Sequence, residues 1–161
     1  MAITITKKFQ RQETSHAAPF GNAWRQTYTF ETNSSGYFLN SDTPGAAVGS
    51  GDVVRFGILP AGVRLHDALV IISDAFAAST TYKLGFQYVD GVDSTAVPQD
   101  DDYFIVAGTA SSSAARTASN NTAVRPVTLP KEAYLILTRA GAADSAAGIM
   151  DVIVKGTLVG V

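Results

Sequence analysis

The stretch YKLGFQYV, residues 82–89, alternates without a break. Tyr82, Leu84, Phe86 and Tyr88 fall on one side of an extended chain, and Lys83, Gly85 and Gln87 on the other, because successive side chains of a strand point to opposite faces. One apolar and one polar face mark a strand that lies on a core and turns its back to solvent. Asp90-Gly91 ends it with a turn signal.

The same grammar extends in both directions. Upstream, Val53–Leu59 (VVRFGIL) reads as a strand stopped by Pro60-Ala-Gly, and Val63–Ser73 (VRLHDALVIIS) as a second. The apolar run Leu69–Ile72 predicts burial on both sides there. Pro60 fixes its own φ and Gly62 supplies a permissive one two residues later, so LPAG makes a corner with Ile58, Leu59, Val63 and Leu65 packed around it. Downstream, Tyr103–Ala107, Ala133–Thr138 and Ile149–Val154 read as strands, and Thr157–Val159 closes the chain in the same style. Pro126 makes Val124–Leu129 an edge segment, because it has no N–H for a central ladder. Ser111–Ala123, built of Ser, Ala, Thr and Asn, predicts a long exposed loop.

Residues 1–50 are less regular. Ala2–Thr6 and Gln26–Phe30 alternate, the first suited to adding a strand within this chain or on a neighbour. Asn33–Gly36 is a turn, Tyr37–Leu39 a brief strand, and Asn40–Gly51 a loop. Lys7–Arg25 follows neither period. Nothing carries a 3.6-residue apolar period over about 11 residues. Asp74–Ser79 and Ala142–Ala147 could each make a single helical turn, the second held short by its flanking glycines. Short strands spaced near ten residues apart predict an all-β protein, a β-sandwich or barrel, for which an antiparallel jelly roll is one common solution. The expected organisation is an N-terminal arm and strands over 1–50, available for contacts with other subunits, and a sandwich core over 51–161.

The 161 residues suffice for one domain that folds without disulfide or metal. Only 16% are charged, against a usual ~25%, so the surface is easily desolvated against another protein. With a net charge of −2 there is no basic field to draw nucleic acid. The absence of cysteine excludes thiol catalysis and Cys metal sites. MAITITKKFQRQETS, residues 1–15, holds no apolar core of signal-peptide length, and no run nears the ~18 apolar residues that span a membrane. No nucleic-acid or membrane partner is expected.

Residues 51–73, GDVVRFGILPAGVRLHDALVIIS, are similar to a segment of small structural proteins on the heads of tailed bacteriophages, the decoration or cement proteins. In these a GD-strand-LPAG-strand unit precedes a strand of the YKLGF kind, an acidic stretch before an aromatic strand (here Gln99-Asp-Asp-Asp-Tyr-Phe), and a closing pair, here Ala133–Thr138 and Gly148–Val154. The resemblance covers about two thirds of the chain and leaves out the first fifty residues. It implies a jelly-roll-like protein, made in the host bacterial cytoplasm, that sits on the outer surface of the virion head. There it would bind the major capsid protein, bridge capsomers and associate with itself as a homotrimer or homodimer. It implies no enzyme and no cofactor.

The residues offer little to set against that. His66 and Asp67 are adjacent on a strand and point to opposite faces, so they cannot form the hydrogen bond of a Ser-His-Asp triad, and no G-x-S-x-G turn is present. Asp100, Asp101 and Asp102, with Asp90 and Asp93, offer oxygen ligands for Ca²⁺ but lack EF-hand spacing. A solvated loop is the plainer expectation, and no metal is assigned. The sequons at Asn33 and Asn120 read as chance. Tyr82, Phe86 and Tyr88 would suit sugar rings if exposed, which keeps open an alternative, a carbohydrate- or receptor-binding module of a phage tail or fibre. Alternation with Leu84 favours a core face. The candidate interface is Lys7, Lys8, Phe9, Arg11, Phe20, Trp24 and Arg25, where aromatic anchors alternate with cations as at the centres of protein interfaces.

Overall fold

A computed structural model describes residues 2–7 and 22–159. Its strands are β1 (Thr4–Thr6), β2 (Ala23–Thr32), β3 (Val53–Leu59), β4 (Val63–Asp74), β5 (Thr80–Tyr88), β6 (Asp100–Ala110), β7 (Ala115–Ala118), β8 (Val127–Thr128), β9 (Ala133–Gly141) and β10 (Gly148–Leu158). One sheet runs β1-β3-β9-β5-β6 and the other β2-β10-β4-β7, with β8 on β4.

The pairing is that of one long hairpin rolled up. β5 pairs antiparallel with β6, β4 with β7, β3 with β9 and β2 with β10. Wrapping then brings β10 against β4 and β9 against β5. Leaving aside β1 and β8, this is the eight-strand jelly roll with its two Greek keys. β1 adds a parallel strand to the β3 edge of the same chain, Thr4 opposite Val53.

The alternation that predicted β5 is the core face. Tyr82, Leu84, Phe86 and Tyr88 are buried against Leu135, Leu137, Phe104 and Ile105. Gly85 holds a different office. A Cβ there would lie 2.1 Å from the carbonyl oxygen of Asp100, so only glycine lets β6 cross this close. The LPAG corner is as expected, with Gly62 at φ +78°.

Residues 23–50 share this core. Trp24, Tyr28, Phe30, Phe38 and Val48 pack in the same cluster as Phe56 and Leu137, and the Tyr28 hydroxyl donates to the Ile58 carbonyl at 3.0 Å, tying one sheet to the other. Each such aromatic contributes roughly 1.5–3 kcal/mol by burial. A line drawn at residue 50 therefore runs through the core.

Four expectations are corrected. Ser111–Ala123 is not one exposed loop: Ala115–Ala118 is β7, hydrogen-bonded to Leu69–Ile72, and Ser111 is buried. Small side chains still have backbone to pair, and β4 offers an edge. Asp100–Asp102 open a strand instead of lying in a loop, since β5 dictates the ladder up to Phe86 opposite Asp100. Leu69 and Ile71 are half-buried while Val70 and Ile72 are buried, because among the described residues no third layer covers the outer face of β4. No helical turn forms at 74–79 or 142–147. Ala78-Ser79 is a turn with Ser79 at φ 62°, and Asp144 is drawn into the core.

Candidate assembly surface

Of the candidate interface, Lys8, Phe9, Arg11 and Phe20 lie outside the described residues, as does His16. Lys7 is half-buried and bridges to Ser41 beyond the end of β1. Trp24 and Arg25 are neighbours on β2 and alternate accordingly. Trp24 faces inward, 7% exposed, as part of the core, and cannot be a surface anchor. Arg25 faces outward opposite Lys155 of β10, so two cations meet across the strands, and Lys155 is balanced by Asp67 at 3.2 Å. Burial raises the Asp67 carboxyl, but hydrogen bonds from Ser119 and Lys155 outweigh it and hold the group below its ordinary value.

His66 and Asp67 diverge as strand neighbours must. His66 Nε2 meets Thr157 Oγ1 at 2.8 Å, while Asp67 is engaged by Lys155 and Ser119. That arrangement has no nucleophile aligned on an imidazole held by a carboxylate. The aromatic face of Tyr82, Phe86 and Tyr88 is 1% exposed throughout, so it offers no platform to a sugar.

The sandwich closes along β6 through side chains the sequence marked only as a chance sequon. Asn120 donates its N–H to Phe104 O and accepts from Val106 N on its side chain, both at 2.9 Å. Asn121 Nδ2 donates to Asp102 O at 3.0 Å. Together they cap an edge that would otherwise present open backbone groups.

Beside this cap lies an apolar cleft of about 320 Å³ between the 89–99 and 119–126 loops, walled by Val97, Pro98, Tyr103, Val124 and Val127 over Phe86. Tyr103 is pinned by its hydroxyl to Arg125 O at 2.9 Å. A more polar cleft of about 430 Å³ adjoins it across Phe86, Gln99 and Asp100, on the outer face of β3, β9 and β5. Asp100 lines both. The carboxylate oxygens of Asp100, Asp101 and Asp102 lie within 4.8 Å of one another. Lys83 Nζ binds Asp101 at 2.6 Å. Burial, then the hydrogen bond and charge of Asp100 and the charge of Asp101, push the Asp102 carboxyl above its ordinary value.

At the opposite end, sequence reasoning missed a buried ion pair. Arg139 of β9, 1% exposed, donates Nη2 to the fully buried Asp144 and Nη1 to Ser111 Oγ at 2.8 Å. Its guanidinium lies 4.9 Å from the Phe76 ring centre. The signal was there to read: Ala133, Leu135, Leu137 and Arg139 share one parity, so the arginine had to enter the core.

Two sheets in jelly-roll order define the class, an all-β sandwich with shallow clefts on its surface. No family model and no curated protein matches the chain. Among solved structures, a chain of the capsid of Ralstonia phage GP4 is similar over 98% of this chain and 99% of its own, with TM-score 0.66 and 11% identity. A chain of the cyanophage Pam1 capsid asymmetric unit is similar over 91% and 94%, with TM-score 0.57 and 15% identity. At these identities what is shared is the fold.

Proposed function

We propose that this chain is a structural protein of a bacteriophage virion, and more narrowly that it decorates the outer surface of the head, binding the major capsid protein and bridging capsomers. One observation carries the reading: the fold matches, end to end, chains found in two phage capsids. The low share of charged residues, 16%, is consistent with it. The mechanism is mass action. A protein that binds only the assembled shell stabilises it by the free energy of that binding. Lys7, Lys8, Phe9, Arg11, Phe20 and Arg25 are proposed as assembly contacts, and Trp24, a core residue, is not.

Co-sedimentation with heads stripped of accessory proteins tests this. The expected result is saturable pelleting and a higher rupture temperature of the loaded heads. Ile5 and Trp24 are core residues, so the segment is probed by substitution at Lys8, Phe9, Arg11 and Phe20 instead of by truncation. No pelleting at any ionic strength refutes the reading.

A further inference from the structure

We propose that β2 pairs edge to edge with β2 of a second copy of this chain, antiparallel and two-fold about Gln26, so that two sheets β2-β10-β4-β7 become one. The contact concerns copies of this chain alone and does not rest on the virion reading.

The open edge is read from the register. Leu158 N donates to Asn22 O, and β2 stays in step with β10 as far as Gly148 opposite Thr32. In an antiparallel ladder the hydrogen-bonded residues alternate, so the even-numbered residues of β2 bond to β10 and the odd-numbered ones turn N–H and C=O the other way. At the far end Leu39 N donates to Glu31 O at 2.9 Å and closes the edge there. Ala23, Arg25, Thr27 and Thr29 are left, and among the described residues nothing pairs with their outward backbone. That is roughly 20 Å of open ladder, a template for another strand. The other edges are managed. On β1, Thr6 N donates to Asp42 Oδ1 and Asp42 N to Thr6 O, each at 2.9 Å. On β6 the cap is Asn120 and Asn121. β7 is only 4 residues long.

Gln26 selects a second copy as the occupant. It lies at the midpoint of the open stretch Ala23–Thr29, points inward and is 3% exposed, yet its Oε1 has no hydrogen-bond partner. A buried acceptor left unmade is costly, so the edge needs a strand that brings a donor to this position. The same stretch in a second copy does so. With Ala23 opposite Thr29 and Arg25 opposite Thr27 of the second copy, every open N–H and C=O is used, and Gln26 stands directly opposite its own equivalent. Each amide Nε2 can then donate to the other's Oε1, and the two-fold closes the contact into a dimer. No residue outside β2 is required. On the outer face the two Arg25 side chains lie on a diagonal, each beside the Lys155 of its own copy. Like charges oppose the contact there, so salt should tighten it.

Sedimentation of the purified full chain tests this. The unaltered chain is expected as a dimer that strengthens as salt rises. In Thr27→Pro the lost N–H is one β10 does not use, and an edge strand tolerates proline on its free side, so the fold should hold by circular dichroism and melting. Two lost hydrogen bonds and a ring against the neighbour should weaken association about tenfold or more. The chain has no cysteine, so a disulfide from a single introduced one must join two copies. Gln26→Cys should cross-link under oxidation, because directly opposed residues of this kind have Cα atoms about 4.5 Å apart. Thr27→Cys, whose copies lie on a diagonal about 7–8 Å apart, should not. A monomeric unaltered chain, a dimer that loosens with salt, a Thr27→Pro variant that keeps the dimer, or cross-linking of Thr27→Cys in place of Gln26→Cys overturns the proposal.

Discussion

Asp144→Ala would leave the guanidinium of Arg139 buried with no carboxylate beside it. Arg139 would keep one hydrogen bond, to Ser111 Oγ, and its contact with the Phe76 ring. Its Nε already has no partner among the described residues. Burial pushes the Asp144 carboxyl up and the Arg139 guanidinium down, so both charges sit where solvation is poor and each depends on the other. Removing one partner of a buried pair costs about 3–5 kcal/mol. Against a total stability of roughly 5–15 kcal/mol that is a large fraction. For a chain of this size it corresponds to a fall of about 6–20 °C in melting temperature. Urea titration and calorimetry read it directly. The double variant Arg139→Met/Asp144→Ala removes both charges and should recover most of the loss, since apolar replacements of buried pairs are often neutral. A single-variant cost below about 1 kcal/mol, or a double variant no better than the single, would refute the assignment of this pair as buried and interdependent.

Two further outcomes follow from the β5–β6 crossing and the acidic rim. Gly85→Ala drives a methyl into the Asp100 carbonyl, 2.1 Å from the Cβ position, and is expected to destabilise by about 1–3 kcal/mol; an unchanged urea midpoint would contradict the close crossing. Asp102→Asn should stabilise the protein slightly at pH 7, by ~0.5 kcal/mol after allowance for solvent screening. The sign follows from its raised pKa: the ionised form costs stability above that pKa, and the cost disappears below the ordinary carboxylate value. The gain should therefore vanish near pH 3, and a loss of stability at pH 7 would be the contrary result.

The strands were legible because alternation is local. Tyr82, Leu84, Phe86 and Tyr88 announced a core face, and LPAG announced a corner, from residues within one or two positions of each other. An all-β sandwich or barrel was legible as a class, through the spacing of strands and turns; the jelly roll came with the resemblance. What pairs with what was not. β2 meets β10 across more than a hundred residues, and β7 is a strand only because β4 offers it an edge, while its own Ala, Arg and Thr carry no signal. Trp24 read as an interface anchor and lies instead in the core, since its parity matters only once β2 has joined a sheet. The acidic triplet was visible in sequence, but the apolar cleft beside it comes from two loops about thirty residues apart. The Arg139–Asp144 pair was half legible: the parity of Ala133, Leu135, Leu137 and Arg139 turns the arginine inward, but its partner Asp144 reaches it only when the chain beyond β9 folds back.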